Sequence, residues 1–477
     1  MRKLATVLVA AAALTAVPAA ASASAAGALD WGECPPDSVD LGQECATVSV
    51  PVDYANPAGG RISLAVSRIA AARPESRRGV LLLVPGGPGN SGLDRPWKLG
   101  ARLPQEVKDR YDIIGFDPRG VGRSNPVSCG LTSDDVRSLS QWPGPGGDIS
   151  ENVTRAKRIA DTCVRNAGPL LRHISTRNEA HDIDQIRKAL GQRKISYWAH
   201  SYGTAVGAYY ATLHPGNTDR VLLDSSDEVD PNVLWRKVMA NQAIGVEDRF
   251  PDFAAWASRP DNPDRVAGSP EAVRPLYLEL AARLDQAPIG SFNGNALREA
   301  VVRGMNTDAG FPLIAKTMNA ARTGGTPPPF PLPPENVLQN IAAVAGATIC
   351  NDVAWPTSVQ VYQRDVLRSR AQYPMTAGMV ANVAPCAFWP FPADKPVRVS
   401  ADGPSTILMV QSTRDPAAPL VGALRLRRAL GQRAAMVTVG TGGHGVYLQL
   451  GSECGDRLVT AFLVTGQRPG GDVRCAR

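Results

Sequence analysis

A serine, an aspartate and a histidine occur along the chain in an order that suits nucleophilic catalysis. Ser201 is the central residue of the string Ala-His-Ser-Tyr-Gly at 199–203, Asp415 precedes a proline, and His444 lies among glycines. A histidine can take the proton of a serine hydroxyl, while a buried aspartate fixes the tautomer of that histidine and stabilises its protonated form. The three residues therefore predict a nucleophile, a general base and an orienting acid.

The surroundings of Ser201 predict a nucleophile elbow. An apolar segment at 195–199 precedes it, and a helical pattern follows at 202–214. A sharp strand-to-helix turn exposes the serine Oγ, and small residues on either side let the two backbones pass closely. Ala199 stands where glycine is more frequent, and we expect its single methyl group to fit.

The general base is one of only five histidines. His200 is adjacent to Ser201 and would point away from its Oγ. His181 and His214 belong to helical patterns, where packing or surface roles are expected. His444 follows the last apolar segment in a glycine-rich loop, where a base could reach the serine, so we predict His444 as the base.

Two aspartates compete for the role of orienting acid. Asp415 follows the apolar segment 407–410, and the order Ser, Asp, His is that of the α/β-hydrolase arrangement. Asp224, after the segment 221–223, is the rival. We predict Asp415 as the orienting acid and keep Asp224 as the alternative.

A glycine-rich string, Pro-Gly-Gly-Pro-Gly at 85–89, directly follows the apolar segment 80–84. Glycines let the backbone approach a ligand, so we predict an oxyanion hole made by the N–H groups of Gly87 and Tyr202. A phosphate-binding loop is the competing interpretation, but G-x-x-x-x-G-K-[ST] is absent. With no C-x-x-C and few histidines, we expect neither a metal nor an organic cofactor.

The elements that must position these residues alternate in type. Short, fully apolar runs are typical of buried parallel strands. Between them lie helical stretches such as 178–190, where Ile183, Ile186 and Leu190 share one face. A two-residue alternation on both sides of a Gly-containing turn predicts an antiparallel hairpin at 46–66. The fold class is therefore α/β, with a mostly parallel, doubly wound sheet. The predicted parallel strands are 80–84, 113–116, 195–199, 221–223, 407–410 and 436–439.

A chain of 477 residues is too long for one hydrophobic core. The alternation stops after residue 230 and resumes near residue 401, and the segment 231–400 consists of helical patterns and Pro-rich loops. We predict a core formed by 27–230 and 401–477, with 231–400 inserted as a mainly helical cap.

The first 26 residues read as a secretory signal peptide. Arg2 and Lys3 precede an apolar run at 4–17, and small residues at 21–25 offer cleavage sites. An uncleaved anchor is the alternative, although the run is short for a membrane span of about 20 residues. We expect a secreted, extracellular protein without stable membrane association after cleavage.

Eight cysteines suit an oxidising compartment. Sequence alone permits 105 pairings, but the cysteines form neighbouring couples along the chain. The expected disulfides are Cys34–Cys45, Cys129–Cys163, Cys350–Cys386 and Cys454–Cys475. The net charge of +7 comes without a long basic run, so we expect no nucleic-acid partner.

Taken together, these motifs resemble the secreted α/β-hydrolase peptidases of the prolyl aminopeptidase family, and most closely its actinobacterial tripeptidyl aminopeptidase branch. The matching strings span nearly the whole chain after the signal peptide. They lie at 50–54, 85–89, 117–124, 201–204, 413–416 and 443–445.

The resemblance implies a triad of Ser201, Asp415 and His444, a cap inserted after Asp224, and hydrolysis of peptide bonds near a free N-terminus. In that family, acidic residues in or near the cap hold the α-ammonium group of the substrate. The candidates are Asp227, Glu228 and Asp352, for each of which a surface or capping carboxylate is the alternative.

Three functions remain open: an exported aminopeptidase that releases short peptides such as tripeptides, an esterase or amidase acting on a small molecule, and a non-catalytic binding protein. Acids clustered at the mouth of the cap would favour the first, and an apolar, uncharged pocket would favour the second. We expect a monomer whose partner is a peptide or small-molecule substrate.

Overall fold

The computed structural model describes residues 29–35, 42–137 and 140–476. The predicted signal peptide, 1–26, lies outside the described residues. Within them, no helix combines the length and hydrophobicity needed to cross a bilayer.

One twisted sheet of ten strands, counted over the described residues, organises the chain. Its order is β1-β2-β3-β5-β4-β6-β7-β8-β9-β10. The pairs β1/β2, β2/β3 and β3/β5 are antiparallel, and the others are parallel. The strands are β1 (Gly32–Glu33), β2 (Glu44–Pro51), β3 (Arg61–Ile69), β4 (Gly79–Val84), β5 (Tyr111–Phe116), β6 (Ile195–His200), β7 (Thr218–Asp224), β8 (Ile407–Arg414), β9 (Ala434–Gly442) and β10 (Val473–Cys475).

The helices flank the sheet and make up most of the segment inserted between β7 and β8. Those of the first part of the chain are α1 (Arg95–Lys98), α2 (Gln105–Lys108), α3 (Ser133–Arg137), α4 (Ser150–Asn166), α5 (Thr176–Ala189) and α6 (Gly203–Leu213). Those between β7 and β8 are α7 (Leu234–Ala257), α8 (Pro270–Gln286), α9 (Gly294–Gly304), α10 (Phe311–Thr323), α11 (Glu335–Asp352) and α12 (Val359–Gln372). After β8 come α13 (Leu420–Leu430) and α14 (Glu453–Thr465).

The six predicted parallel strands lie within β4 to β9. Helices cover both faces of this part of the sheet, so nearly all side chains of the predicted runs are buried, with Thr438 half-buried. In β4, Leu82 and Val84 pack into the core shared with α5 and α6. Leu81 and Leu83 pack into the opposite core, which includes α14. The predicted hairpin is β2 and β3, in which Val50 pairs with Ile62.

The segment between β7 and β8 is helical, and we keep the name cap for 231–400. It has a hydrophobic core of its own, with Phe253, Tyr277 and Ile314 fully buried. The helix α4 lies in the segment 27–230, which the sequence assigned to the α/β core. In the structure, Ala156 of α4 shares a hydrophobic cluster with Tyr362 of the cap. The structural cap is therefore larger than the inserted segment.

All eight cysteines are bridged, in the pairs expected from their neighbourhood in sequence. Cys34–Cys45 lies at the antiparallel edge and Cys454–Cys475 joins α14 to β10. Cys129–Cys163 joins the loop before α3 to α4, and Cys350–Cys386 joins α11 to the segment that follows α12.

Candidate active site

Ser201 occupies the sharp turn between β6 and α6. Its φ of 58° is in the left-handed region, a conformation that costs energy for a non-glycine residue and is typical of a strained functional turn. Its N–H donates to the carbonyl oxygen of Asp224 at 2.9 Å. At Gly203 a Cβ would lie 2.5 Å from the carbonyl oxygen of Pro85, so the close approach of loop and helix requires glycine.

The alanine at the first small position of the elbow has a compensating partner. Ala199 is fully buried and faces Gly207 of α6, where an added Cβ would lie 3.2 Å from the Cβ of Ala199. The absence of a side chain at Gly207 therefore leaves room for the methyl group of Ala199. The sharp turn at Ser201 therefore forms with alanine at position 199.

Asp415 and His444 meet where β8 and β9 end. The Nδ1 atom of His444 lies 3.0 and 2.9 Å from the two carboxylate oxygens of Asp415. Since a carboxylate is an acceptor, Nδ1 carries the proton and Nε2 is the basic nitrogen. Asp415 is buried, and its Oδ1 also accepts hydrogen bonds from the amides of Ala417 and Ala418, each at 2.9 Å.

The surroundings of His444 raise its affinity for a proton. Burial alone would lower the pKa of His444, but the charge of Asp415 and the hydrogen bond to it raise the pKa above its ordinary value. This arrangement stabilises the imidazolium that forms when a serine is deprotonated.

The rival acid, Asp224, has a different role. Its carboxylate accepts from the N–H groups of Val446 and Tyr447, at 2.8 and 3.1 Å, and from Nε1 of Trp198 at 3.2 Å. Burial raises the pKa of Asp224 to about 6. Asp224 therefore anchors the loop that carries His444.

The cap also supports the loops that carry the acid and base. The N–H of His444 donates to the carbonyl oxygen of Asn306 at 2.8 Å, and Arg414 forms an ion pair with Asp252 of α7 at 2.9 Å. A Cβ at Gly245 of α7 would lie 2.6 Å from the carbonyl oxygen of Asp415. Sequence reasoning missed these contacts, since nothing local marks residues so far apart as neighbours.

The glycine loop lies directly against the elbow. A Cβ at Gly86 would be 3.0 Å from the Cβ of Ser201. Gly87 has a φ of 118°, which favours glycine. Within the described part of the chain, the N–H groups of Gly87 and Tyr202 have no protein acceptor, so both amides are available to a ligand.

The side chain of Tyr202 joins a buried network that the sequence did not reveal. Its hydroxyl donates to Glu179 at 3.0 Å and lies 3.1 Å from Oγ1 of Thr176, and its ring stacks on Trp235 of the cap. Burial raises the pKa of Glu179 to about 8. One sequence signal existed: Glu179 lies four residues before Ile183, on the apolar face of α5.

Two of the three acids predicted to bind the substrate's ammonium group already have protein partners. Glu228 is buried, pairs with Arg425 and caps the amides of Val229 and Asp230. Asp352 accepts from the amide and hydroxyl of Thr176, at 2.8 and 2.6 Å, and from Nε1 of Trp235 at 2.8 Å. Both carboxylates are therefore engaged by protein donors, which makes them less available to a substrate than an unpartnered acid.

Asp227 differs from those two acids. Within the described residues its carboxylate has no hydrogen bond and no ion pair, although the residue is only 8% exposed. Burial raises the pKa of Asp227 to about 7, while the charge of His444 lowers it and that of Asp415 raises it. Asp227 is therefore a buried, unpartnered carboxyl close enough to His444 to interact with it.

Between cap and sheet lies a cleft of about 540 Å³, which reaches Gly87 on one side and Ala417 on the other. Its walls are mainly apolar. Among the described residues, its charged lining consists of Asp135, paired with Arg155 and Arg158, and Arg303, paired with Glu299. In that same part of the chain, no three acidic, histidine or cysteine side chains are grouped as metal ligands.

Comparisons with known proteins agree with this geometry. The family model described as alpha/beta hydrolase fold matches residues 79–310, and the model described as TAP-like protein matches 371–475. The tripeptidyl aminopeptidase of Streptomyces lividans is 33% identical over 475 residues, which is 96% of this chain and 88% of that protein.

Two mycobacterial relatives are similar over nearly the same length. Serine protease Hip1 of Mycobacterium tuberculosis is 30% identical, covering 94% of this chain and 91% of its own. Carboxylesterase B of the same species is 27% identical, covering 94% and 89%. The chain belongs to the α/β-hydrolase family of serine peptidases that includes the tripeptidyl aminopeptidases.

Proposed function

We propose that the protein is an exported serine aminopeptidase that releases short peptides, such as tripeptides, from free N-termini. In this proposal Ser201 is the nucleophile, His444 the general base and Asp415 the orienting acid. The observations that support this proposal most directly are the contact of His444 Nδ1 with Asp415 and the positive φ of Ser201 in the turn between β6 and α6. The choice of peptides as substrates is supported by the relatives named tripeptidyl aminopeptidase and serine protease Hip1.

The proposed mechanism is acyl transfer. His444 takes the proton of Ser201 as Oγ attacks the scissile carbonyl, and the amides of Gly87 and Tyr202 stabilise the tetrahedral oxyanion. His444 then gives the proton to the leaving amine, and the released fragment departs with a free N-terminus. Water, deprotonated by His444, hydrolyses the acyl-enzyme and regenerates Ser201.

Asp227 is the acid that we assign to the substrate's α-ammonium group. Its buried carboxyl has no partner among the described residues, and an ammonium group would provide the missing charge and hydrogen bonds. Asp227→Asn should lower kcat/KM for peptides with a free N-terminus by about 30- to 100-fold, the equivalent of one charge-assisted contact. Peptides with a blocked N-terminus should be affected little.

The deciding experiment uses residues 27–477 and chromogenic amides of one, two and three residues, with free and blocked N-termini, beside aryl esters. We expect the free three-residue amide to be the best substrate and Ser201→Ala to be inactive. Equal cleavage of free and blocked amides would contradict ammonium recognition. Absence of both turnover and fluorophosphonate labelling of Ser201 would contradict any catalytic function and leave a binding protein.

A second candidate is an esterase or amidase for a small molecule. It is supported by the apolar cleft, in which the charged side chains are paired, and by the relative named Carboxylesterase B. Turnover of esters without turnover of any peptide amide would select this candidate.

Export is part of the proposal and is supported by the four disulfides, since such bridges persist in oxidising compartments. N-terminal sequencing of protein recovered from culture fluid should start near residue 27, and retention of the intact chain in the cell would contradict export. Gel filtration should show a monomer.

A further inference from the structure

A second depression adjoins the cleft on the surface of the cap. It encloses about 370 Å³ between α7, α12 and residues 380–382, and we call it the basic groove. Met239, Val380 and Asn382 line both the cleft and the basic groove. A substrate that extends out of the cleft past these residues would enter the groove.

The charges of the groove are unbalanced. Arg236, Lys237 and Arg368 line it, together with one acid, Asp365. Asp365 is already paired with Arg236 at 3.2 Å and with Arg364 at 3.6 Å. Within the described residues, the side chains of Lys237 and Arg368 have no acidic or hydrogen-bond partner. Two positive charges therefore face the groove without compensation.

An unused hydrogen-bond donor lies in the same wall. The Oγ of Ser369 is inaccessible to solvent and has no partner among the described side chains and backbone. It lines the groove one residue after Arg368 on α12. Because this hydroxyl is inaccessible, the donors that the groove offers are the two cations, Lys237 and Arg368. Two cations suit a carboxylate, whereas an ammonium group would be repelled.

The groove is also long enough for several residues. Its α7 wall runs from Val233 to Ala240, about 10 Å at 1.5 Å per helical residue. An extended peptide rises about 3.3 Å per residue, so this length holds about three residues.

We infer that the basic groove binds a carboxylate of the peptide substrate, carried either by an acidic side chain or by the C-terminus. This inference rests on the proposed peptidase function and adds a preference to it. Because an ammonium group is disfavoured there, the groove takes a part of the peptide other than its free N-terminus.

The test measures kcat/KM for matched peptides. One series carries Glu or Gln at successive positions on both sides of the scissile bond, and a second series ends in a free acid or an amide. The enzymes are the native chain, Lys237→Glu/Arg368→Glu, and a control, Arg259→Glu/Arg322→Glu. The control makes the same change of charge at exposed cap residues that do not line the groove.

We expect the native enzyme to prefer Glu over Gln at one position, or acid over amide at the C-terminus, by about tenfold, and salt should reduce this preference. The double variant should lose or reverse the preference while the control keeps it. Whichever series responds identifies the carboxylate.

The inference is overturned if neither series shows a preference, or if the preference survives charge reversal. Uncharged peptides separate the two failures. If the native enzyme cleaves them without any charge preference, only the groove is refuted. If it cleaves no peptide at all, the proposed function fails as well.

Discussion

The two aspartates that compete for the acid role should respond in opposite ways to the same chemical change. Asp415→Asn removes the acceptor of the Nδ1 proton of His444, while the backbone bonds of Ala417 and Ala418 to the remaining oxygen can persist. Asp224→Asn leaves the pair of His444 and Asp415 untouched but disturbs the loop behind it.

The magnitudes follow from the partners of each carboxylate. In serine proteases, the loss of the orienting carboxylate costs roughly 10⁴-fold in kcat, and we expect the same order for Asp415→Asn. Asp224 accepts from four buried donors, and an asparagine would turn its NH₂ group toward at least one of them. An unsatisfied buried donor and a lost charged acceptor cost about 2–4 kcal/mol.

The assay pairs kinetics with urea unfolding for the two variants and the native enzyme. The free energy of unfolding of Asp415→Asn should lie within about 1 kcal/mol of that of the native enzyme, while its kcat should be almost entirely lost. Asp224→Asn should unfold at a clearly lower urea concentration and lose less than about 10²-fold in kcat, the cost of a loosened catalytic loop. The reverse pattern would refute the assignment and make Asp224 the orienting acid.

Further predictions concern pH and close packing. The raised pKa of His444 predicts that kcat/KM falls with acidity around a midpoint above 6.5; a midpoint below 6.5 in the pH–rate profile would contradict this. Glu179, with its pKa raised from 4.5 to about 8, binds a proton more readily in the folded state. The free energy of unfolding should therefore decrease as the pH rises from about 5 to 8. Glu179→Gln should make this decrease with pH smaller, and at pH 9 it should stabilise the protein by about 1–3 kcal/mol, measured by urea unfolding. An unchanged slope would show that Glu179 ionises freely. Gly203→Ala, whose Cβ would lie 2.5 Å from the carbonyl oxygen of Pro85, should lower kcat at least about 10²-fold. Ala199→Gly, the control, should stay within about threefold, and normal activity of Gly203→Ala would contradict the packing of the elbow.

The features that sequence predicted well are those with a local cause. A run such as that of β4 is apolar throughout because both faces of a parallel strand are covered, so its type and place could be predicted from five residues. Ser201 could be predicted because an elbow needs a strand before it, a helix after it and small residues beside it. The neighbouring cysteines likewise predicted the disulfides that the structure contains.

The features that sequence predicted poorly depend on partners far away along the chain. Glu228 looked free until the fold placed Arg425 beside it, nearly 200 residues later. Asp352 accepts hydrogen bonds from Thr176 and Trp235, which belong to two other helices. A carboxylate's availability is set by such partners, so local patterns rank binding acids badly even where they predict a strand-to-helix turn well.

The helix α7 shows why the cap is part of the proposed catalytic apparatus as well as a cover for the cleft. Its first turn stacks Trp235 on Tyr202, which follows the proposed nucleophile, and its middle packs Gly245 on the carbonyl of Asp415. Near its C-terminal end, Asp252 holds Arg414. A displacement of α7 would therefore move the elbow side, the acid loop and the basic groove together, because one rigid helix contacts all three. Substrate contacts with Lys237 would act on the same helix that supports the acid and base.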